Sequence, residues 1–168
     1  MKYQIRPANL SDAQEMYDVF QEVISQGETF DYSPDTSFED FRNEWLENSK
    51  AYDYVAVANE EPFVGKVIGM YKILPNRRGL ADHVANGSYM IHKDFRGLGL
   101  GRALGEHSYQ EAKAKGFTAM QYNFVVSTNV AGVSLWKSLG MNVIGTIPKA
   151  YRHKKLGLVD ALIMHKFL

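Results

Sequence analysis

Cysteine is absent from the 168-residue chain. That excludes disulfides, Cys-ligated zinc, iron–sulfur clusters and a catalytic thiolate. Any covalent acyl-enzyme would sit on another side chain. The absence agrees with a reducing compartment. Net charge is absent too, since 19 Lys plus Arg balance 19 Asp plus Glu. No overall field draws the chain toward nucleic acid or an anionic membrane. The longest basic run, Arg152-His153-Lys154-Lys155, is only a patch. No apolar run approaches the ~20 residues that span a bilayer, and Met1-Lys2-Tyr3-Gln4 lacks the apolar core of a signal peptide. These absences predict a soluble, cytoplasmic protein without nucleic-acid or membrane partners. What is present is ordinary: 45% hydrophobic and 23% charged residues fall in the globular range. The length suits one domain over residues 1–168.

Periodicity predicts the elements. Tyr3–Arg6 alternates and stops at Pro7, a short strand. Ser11 with Gln14 predicts a capping box ahead of Met16, Val19, Phe20, Val23 and Ile24 at helical spacing, closed by Gly27. Gly27–Thr36 is a loop, and Ser37 opens a second helix with Phe38, Phe41, Trp45 and Leu46 on one face. Strands follow at Tyr54–Ala58 and Val67–Ile73, around a turn at Glu60-Glu61-Pro62. Pro75–Asp82 is a loop with Arg77 and Arg78. Val84–His92 is a strand that runs into a glycine-rich turn and a helix ending at Gly116. Met120–Val126 is a strand, Ala131–Leu139 a helix closed by Gly140, and Asn142–Ile147 and Val159–Phe167 are strands. The order is β-α-α-β-β-β-α-β-α-β-β. A mostly antiparallel half feeds a right-handed βαβ crossover.

The glycine-rich turn, Arg96-Gly97-Leu98-Gly99-Leu100-Gly101, carries the strongest chemical signal. Glycines at alternate positions let successive backbone N–H groups point inward without Cβ interference. The helix start behind them adds partial positive charge, so the turn is suited to a phosphate. Arg96 and Arg102 flank it with mobile positive charge. The GK[ST] ending of a Walker loop is missing, and the spacing is not the G-x-G-x-x-G of dinucleotide folds. A bare structural turn is the competing reading. Downstream lies Asn129-Val130-Ala131-Gly132-Val133-Ser134-Leu135-Trp136-Lys137-Ser138-Leu139-Gly140-Met141. Alone it reads as an N-capped amphipathic helix with a glycine C-cap.

Together, about 30 residues apart and in this order, the two segments resemble the GCN5-related N-acetyltransferase family. The turn matches its [QR]-x-x-G-x-[GA] loop at every defined position. Asn129, Gly132, Leu135 and Gly140 match its second motif, which usually has tyrosine at Trp136 and phenylalanine at Met141. The resemblance implies a mixed α/β fold. Its central, mostly antiparallel twisted sheet has about seven strands, a splayed parallel pair between the fourth and fifth, and four flanking helices.

It also implies acetyl-CoA as cosubstrate and a small-molecule amine as acceptor, with no metal and with a homodimer left open. Arg96, Gly97, Leu98, Gly99, Leu100, Gly101 and Arg102 would hold the pyrophosphate. Met90, Ile91 and Asn129 would hold the pantetheine arm, and Trp136 would stand beside the sulfur. The ending Gly145–His153 with Asp160-Ala161 looks like the phosphinothricin and proline-analogue acetyltransferase subgroup, which points to an amino acid or analogue as acceptor. Alternatives are a polyamine, peptide or protein amine, or a non-catalytic acyl-CoA sensor.

Proton movement is the open question. A lysine-like amine, pKa ~10.4, is only about one part in two thousand neutral at pH 7, a barrier of about 4–5 kcal/mol. Many family members use a glutamate on the fourth strand, but Val84–His92 has no carboxylate. Asn86 stands in its neighbourhood. Asn123, on the facing strand, is either a buried structural amide or a site residue. Asn86, Asn123 and Asn129 are expected to form a polar frame that positions the acceptor and the developing oxyanion. Trp136 cannot release a proton, so another hydroxyl serves or the thiolate leaves unaided. Thr29, Phe30 and Tyr32 of the first inter-helix loop, with Asn86 and Tyr89, are the expected acceptor contacts; core packing and a plain hydrophobic lid compete for the aromatics.

Overall fold

A computed structural model describes residues 2–168; Met1, part of the N-terminal stretch considered above, lies outside them. Seven strands form one sheet: β1 Tyr3–Pro7, β2 Tyr52–Ala58, β3 Val67–Pro75, β4 Val84–Ile91, β5 Ala119–Val126, β6 Asn142–His153 and β7 Gly157–Phe167, in spatial order β1-β2-β3-β4-β5-β7-β6. Every neighbouring pair is antiparallel except β4 with β5. Helices α1 Ala13–Ile24 and α2 Phe38–Trp45 cover one face; α3 Leu100–Ala114 and α4 Val130–Ser138 cover the other. β3 is an interior strand, covered on both sides, and reads as a continuous buried run from Val67 to Ile73. No helix among the described residues is long and apolar enough to cross a membrane.

The parallel pair carries the functional consequence. β4 and β5 pair only at Val84↔Ala119 and Ala85↔Met120. Beyond that point β4 stays in register with β3 as far as Ile91, while β5 follows β7 through a register shift between Tyr122 and Val125. The strands therefore part, as expected from the family resemblance. β4 alternates strictly: Ala85, Tyr89 and Ile91 face α3, while Met90 packs with Met16, Val55 and Met70 under α1. Asn86 and Ser88 share the face of Met90.

Two local expectations differ from the structure. The N-terminal cap of the first helical segment is Asn9, not Ser11: Asn9 Oδ1 accepts from Ser11 N, and the Asp12 carboxylate accepts from Asn9 N at 2.9 Å, closing a capping box over a 3-10 turn that runs into α1. Asp12 wins because Arg6 holds its carboxylate with two bonds of 2.7 Å. The sixth strand does not stop at Ile147 but continues to His153. Lys149 takes a left-handed φ of 50° at a register shift between Ile147 and Tyr151, and its N–H donates to Asp160 Oδ1 at 2.8 Å. Pro148 is tolerated because β6 is an edge strand with a bulge.

Asp12 makes the first testable case. The Arg6 hydrogen bonds hold its carboxyl below the ordinary range, against the opposing effect of burial. A folded pKa below the unfolded value means stability that is present above pH ~3.9 and lost as pH falls through the folded value. Asp12→Asn is expected to lose about 2 kcal/mol at neutral pH and to flatten the acid limb. Urea unfolding at pH 7 and pH 3 checks both.

Candidate active site

The turn after β4 is built from its backbone. His92 Nδ1 accepts from Asp94 N, a 3-10 turn Lys93–Phe95 buries Phe95, and the chain then reaches Gly97 and Gly99. Both glycines are left-handed, with φ of 75° and 82°, and a Cβ built on either meets no heavy atom within 4 Å. The space in front of both Cβ positions is open, and side chains there would occupy it. Gly99 is the N-cap of α3 and supplies no side-chain acceptor, so the first N–H groups of a 15-residue helix remain available with its positive dipole end. Gly101 serves differently. A Cβ there would come within 3.1 Å of Leu135 and 3.3 Å of Ile91, so this glycine permits close packing of α3.

Both arginines have partners within the protein. Arg96 donates to Ile91 O at 3.0 Å, Gln26 Oε1 at 3.2 Å and Glu22 Oε2 at 3.0 Å. It binds α1 to the turn. Arg102 donates to Ser138 Oγ at 2.8 Å and pairs with Glu106. Leu98 is exposed and Leu100 is buried.

On the α3/α4 face of the splay lies a tyrosine array. Tyr54, Tyr71 and Tyr89 are in register across β2, β3 and β4. Their rings stack at 4.8 and 5.6 Å. Tyr54 donates to Glu111, Tyr71 bonds His107 at 2.6 Å, and Tyr89 bonds Ser108 at 2.7 Å. Tyr122 donates to Tyr89 at 2.8 Å. Burial pushes all four phenols up, which makes them poorer proton donors. Tyr89, grouped above with the acceptor contacts, thus stands on the face opposite Asn86. Trp136 packs its buried ring 4.7 Å from that of Tyr89 and 4.9 Å from that of Tyr122. Asn129 Oδ1 accepts from Gly132 N at 3.1 Å, capping α4.

The opposite face holds the remaining polar groups. Asn123 donates to Asn76 Oδ1 at 2.6 Å and accepts from Gln121 at 2.9 Å. Asn86 pairs in register with Leu74 on the same face. The three asparagines share no hydrogen bond with one another among the described residues. Asn86 and Asn123 share a face, while Asn129 is committed to a helix start. Asn76 was missed; its position just past Pro75, at the end of an apolar strand, gives no sequence signal.

A cleft of about 620 Å³ is lined by Phe30, Asp31, Tyr32, Phe124, Tyr151 and Arg152 among others, with neither Asn86 nor Asn123 in its lining. Tyr151 donates to Phe30 O at 3.1 Å, tying the Gly27–Thr36 loop to β6. Thr29 lies in that loop but not on the cleft. Glu28 pairs with Lys155 at 2.6 Å, which holds its carboxyl below the usual range. Tyr32 donates to Glu44, whose Oε1 is also 2.6 Å from Lys72 Nζ. Asp53, opposite Lys72 in register, is pushed by burial up to about 7. Lys72, Glu44 and Asp53 were missed by the sequence reading. The signal was there for two: a lone charge inside Met70-Tyr71-Lys72-Ile73 and inside Tyr52-Asp53-Tyr54.

The arrangement can hold a diphosphate at the start of α3, admit an extended arm between β4 and β5, and receive a second molecule from the far side. Known proteins share the fold. A GCN5-related N-acetyltransferase from Kribbella flavida superposes with a TM-score of 0.92 and 39% identity, covering 99% of this chain and 98% of that one. The protein yncA from Salmonella typhimurium, solved with its cofactor acetyl-CoA, has the same fold, with a TM-score of 0.85 and 24% identity over 100% of this chain and 95% of that one. N-acetyltransferase aca1 of Schizosaccharomyces pombe is 34% identical over 98 residues, 58% of this chain and 47% of that protein. The matches span about half or less of the curated relatives' length. Residues 14–141, from α1 through the glycine turn to the end of the α4 segment, match the acetyltransferase (GNAT) family, and with the splayed sheet and the uncapped helix start in place the chain belongs to that family.

Proposed function

We propose that this chain is an acetyl-CoA-dependent N-acetyltransferase that acetylates the amine of a small molecule, an amino acid or amino-acid analogue, by direct attack within a ternary complex. The observation that carries the reading is the pair of left-handed glycines at the uncapped start of α3, immediately beside the opening between β4 and β5. The open Cβ positions at Gly97 and Gly99 fit a pyrophosphate approached by backbone. Amides from Gly97 to Arg102 would hold it. The end of β4 at Met90 and Ile91, with the uncommitted amide hydrogens of Asn129, would hold the pantetheine arm. When bound, acetyl-CoA supplies an activated acetyl thioester.

The chain's own residues orient and polarise rather than exchange protons. Asn123 would donate toward the acyl oxygen, held by Asn76 and Gln121, and Asn86 would orient the amine. A thiol pKa near ~8.5 lets the thiolate leave without a side-chain acid. Trp136 then serves by shape, so Trp136→Tyr is expected to retain turnover within about threefold. Loss of turnover in Trp136→Phe, with fold and acetyl-CoA affinity intact, would give the indole N–H a role this reading denies it.

The absence of a carboxylate on β4 also favours a second reading, a non-catalytic acyl-CoA sensor. Thiol release measured over a panel of amines separates the two: release with an amino acid supports the enzyme, and none with any amine, despite tight acetyl-CoA binding, supports the sensor.

A further inference from the structure

Lys72 is the one buried lysine among the described residues, at 4% exposure. It sits in β3 on the α1/α2 face. Its Nζ lies 2.6 Å from Glu44 Oε1 and 3.3 Å from Tyr32 Oη, and 4.7 Å above the ring of the fully buried Trp45. Tyr32 in turn donates to Glu44. A buried ammonium persists only when its partners compensate the lost hydration. Here those partners come from α2 and from the Gly27–Thr36 loop, so one charge joins a strand, a helix and a loop. Phe20 and Phe30 flank the Tyr32 ring at 4.8 and 6.2 Å, but they hold only its apolar body. The polar anchor fixes the direction of the ring, and that ring is a wall of the cleft.

We propose that Lys72 is a positioning residue that, through Glu44 and Tyr32, fixes the acceptor wall and so determines which amines are accepted. The proposal rests on reading this cleft as the acceptor site. It extends that reading to a residue on the strand beneath, outside the cleft lining.

The partners differ in a useful way. The Glu44 side chain is 47% exposed, so in Lys72→Met its carboxylate is solvated; Asp53, opposite Lys72 in register, loses the facing cation, and burial already favours its neutral form. Methionine also keeps the length and apolar contact of the lysine stem over Trp45. Removing Glu44 instead strands the ammonium. Lys72→Met is therefore the variant that isolates the anchor.

Two measurements on the full chain test it, using Lys72→Met, Tyr32→Phe and the double variant. Hydrogen exchange needs no acceptor: amides in Gly27–Thr36 are expected to exchange about tenfold faster in Lys72→Met, with those of residues 97–104 changed less than about twofold. In thiol-release kinetics over the twenty amino acids, the acceptor KM is expected to rise about tenfold, with kcat and acetyl-CoA KM held within about twofold. The double variant should be no worse than Lys72→Met alone, because Lys72 acts through Tyr32. Unchanged exchange, additive effects, or a fall in kcat without a KM change would overturn the proposal. Should the wild type acetylate no amino acid, the acceptor class fails and the exchange result alone decides the role of Lys72. Should Lys72→Met not fold, Lys72→Arg, which keeps the charge on a longer fork, is read by the same measurements and is expected to shift both in the same direction by less.

Discussion

Gly99→Val is expected to weaken acetyl-CoA binding about a hundredfold. Gly99 has φ of 82° at the N-cap of α3, a conformation that disfavours any L side chain by about 1–2 kcal/mol and a β-branched one most. A built Cβ meets nothing of the protein within 4 Å, so the added methyls would project into the open space in front of the turn. Two charge-assisted backbone hydrogen bonds at ~1.5–3 kcal/mol each are then at stake. Each 1.4 kcal/mol is about tenfold in affinity. Gly65 provides the control. It too is left-handed with open space around it, with φ of 86°, but it lies in the turn before β3. Gly65→Val should show the backbone strain as lost stability and leave binding unchanged. Gly101→Val should act through packing against Leu135 and Ile91, lowering the melting temperature. Calorimetry with acetyl-CoA distinguishes the three, and unchanged affinity in Gly99→Val would remove the turn from the account.

Asn123→Ala is expected to lower kcat by about 10²–10³, the loss typical of one donor to a developing oxyanion. The structure sharpens the reason. The Asn123 amide is oriented by Gln121 on its oxygen and by Asn76 on one amide hydrogen, which leaves the second hydrogen aimed by a fixed frame. Asn76→Ala should therefore reproduce part of the loss without touching substrate. Asn86→Ala should act mainly on acceptor KM. Wild-type kinetics for both Asn86→Ala and Asn123→Ala would sink the frame.

The turn was legible because its chemistry is local. Two glycines must be left-handed for the chain to enter α3, and that requirement is written in adjacent residues. The buried stripes of α1 and β3 were legible for the same reason, since a period of 3.6 or a continuous apolar run needs no knowledge of the partner. What failed joins residues far apart in the chain. Arg96 looked free because Glu22 is 74 positions away. The cap is the exception: Asp12 displaced Gln14 because Arg6, only six positions back in β1, holds its carboxylate. Asn123 was legible as a site candidate, but its partner Asn76 is 47 positions distant. Lys72 advertised itself as a charge in an apolar strand, yet nothing in the sequence said that Glu44 and Tyr32 would meet it. The faces of β4 follow from strict alternation, and that alone would have separated Tyr89 from Asn86.

The most direct test is mass spectrometry of an amino-acid library incubated with the protein and acetyl-CoA, with free thiol measured in the same samples. One or a few amines are expected to gain a single acetyl group, matched by an equal amount of free CoA, with far less acetylated product when Gly99→Val replaces the wild type. No acetylated species and no released thiol, from a protein that binds acetyl-CoA tightly by calorimetry, would contradict this expectation.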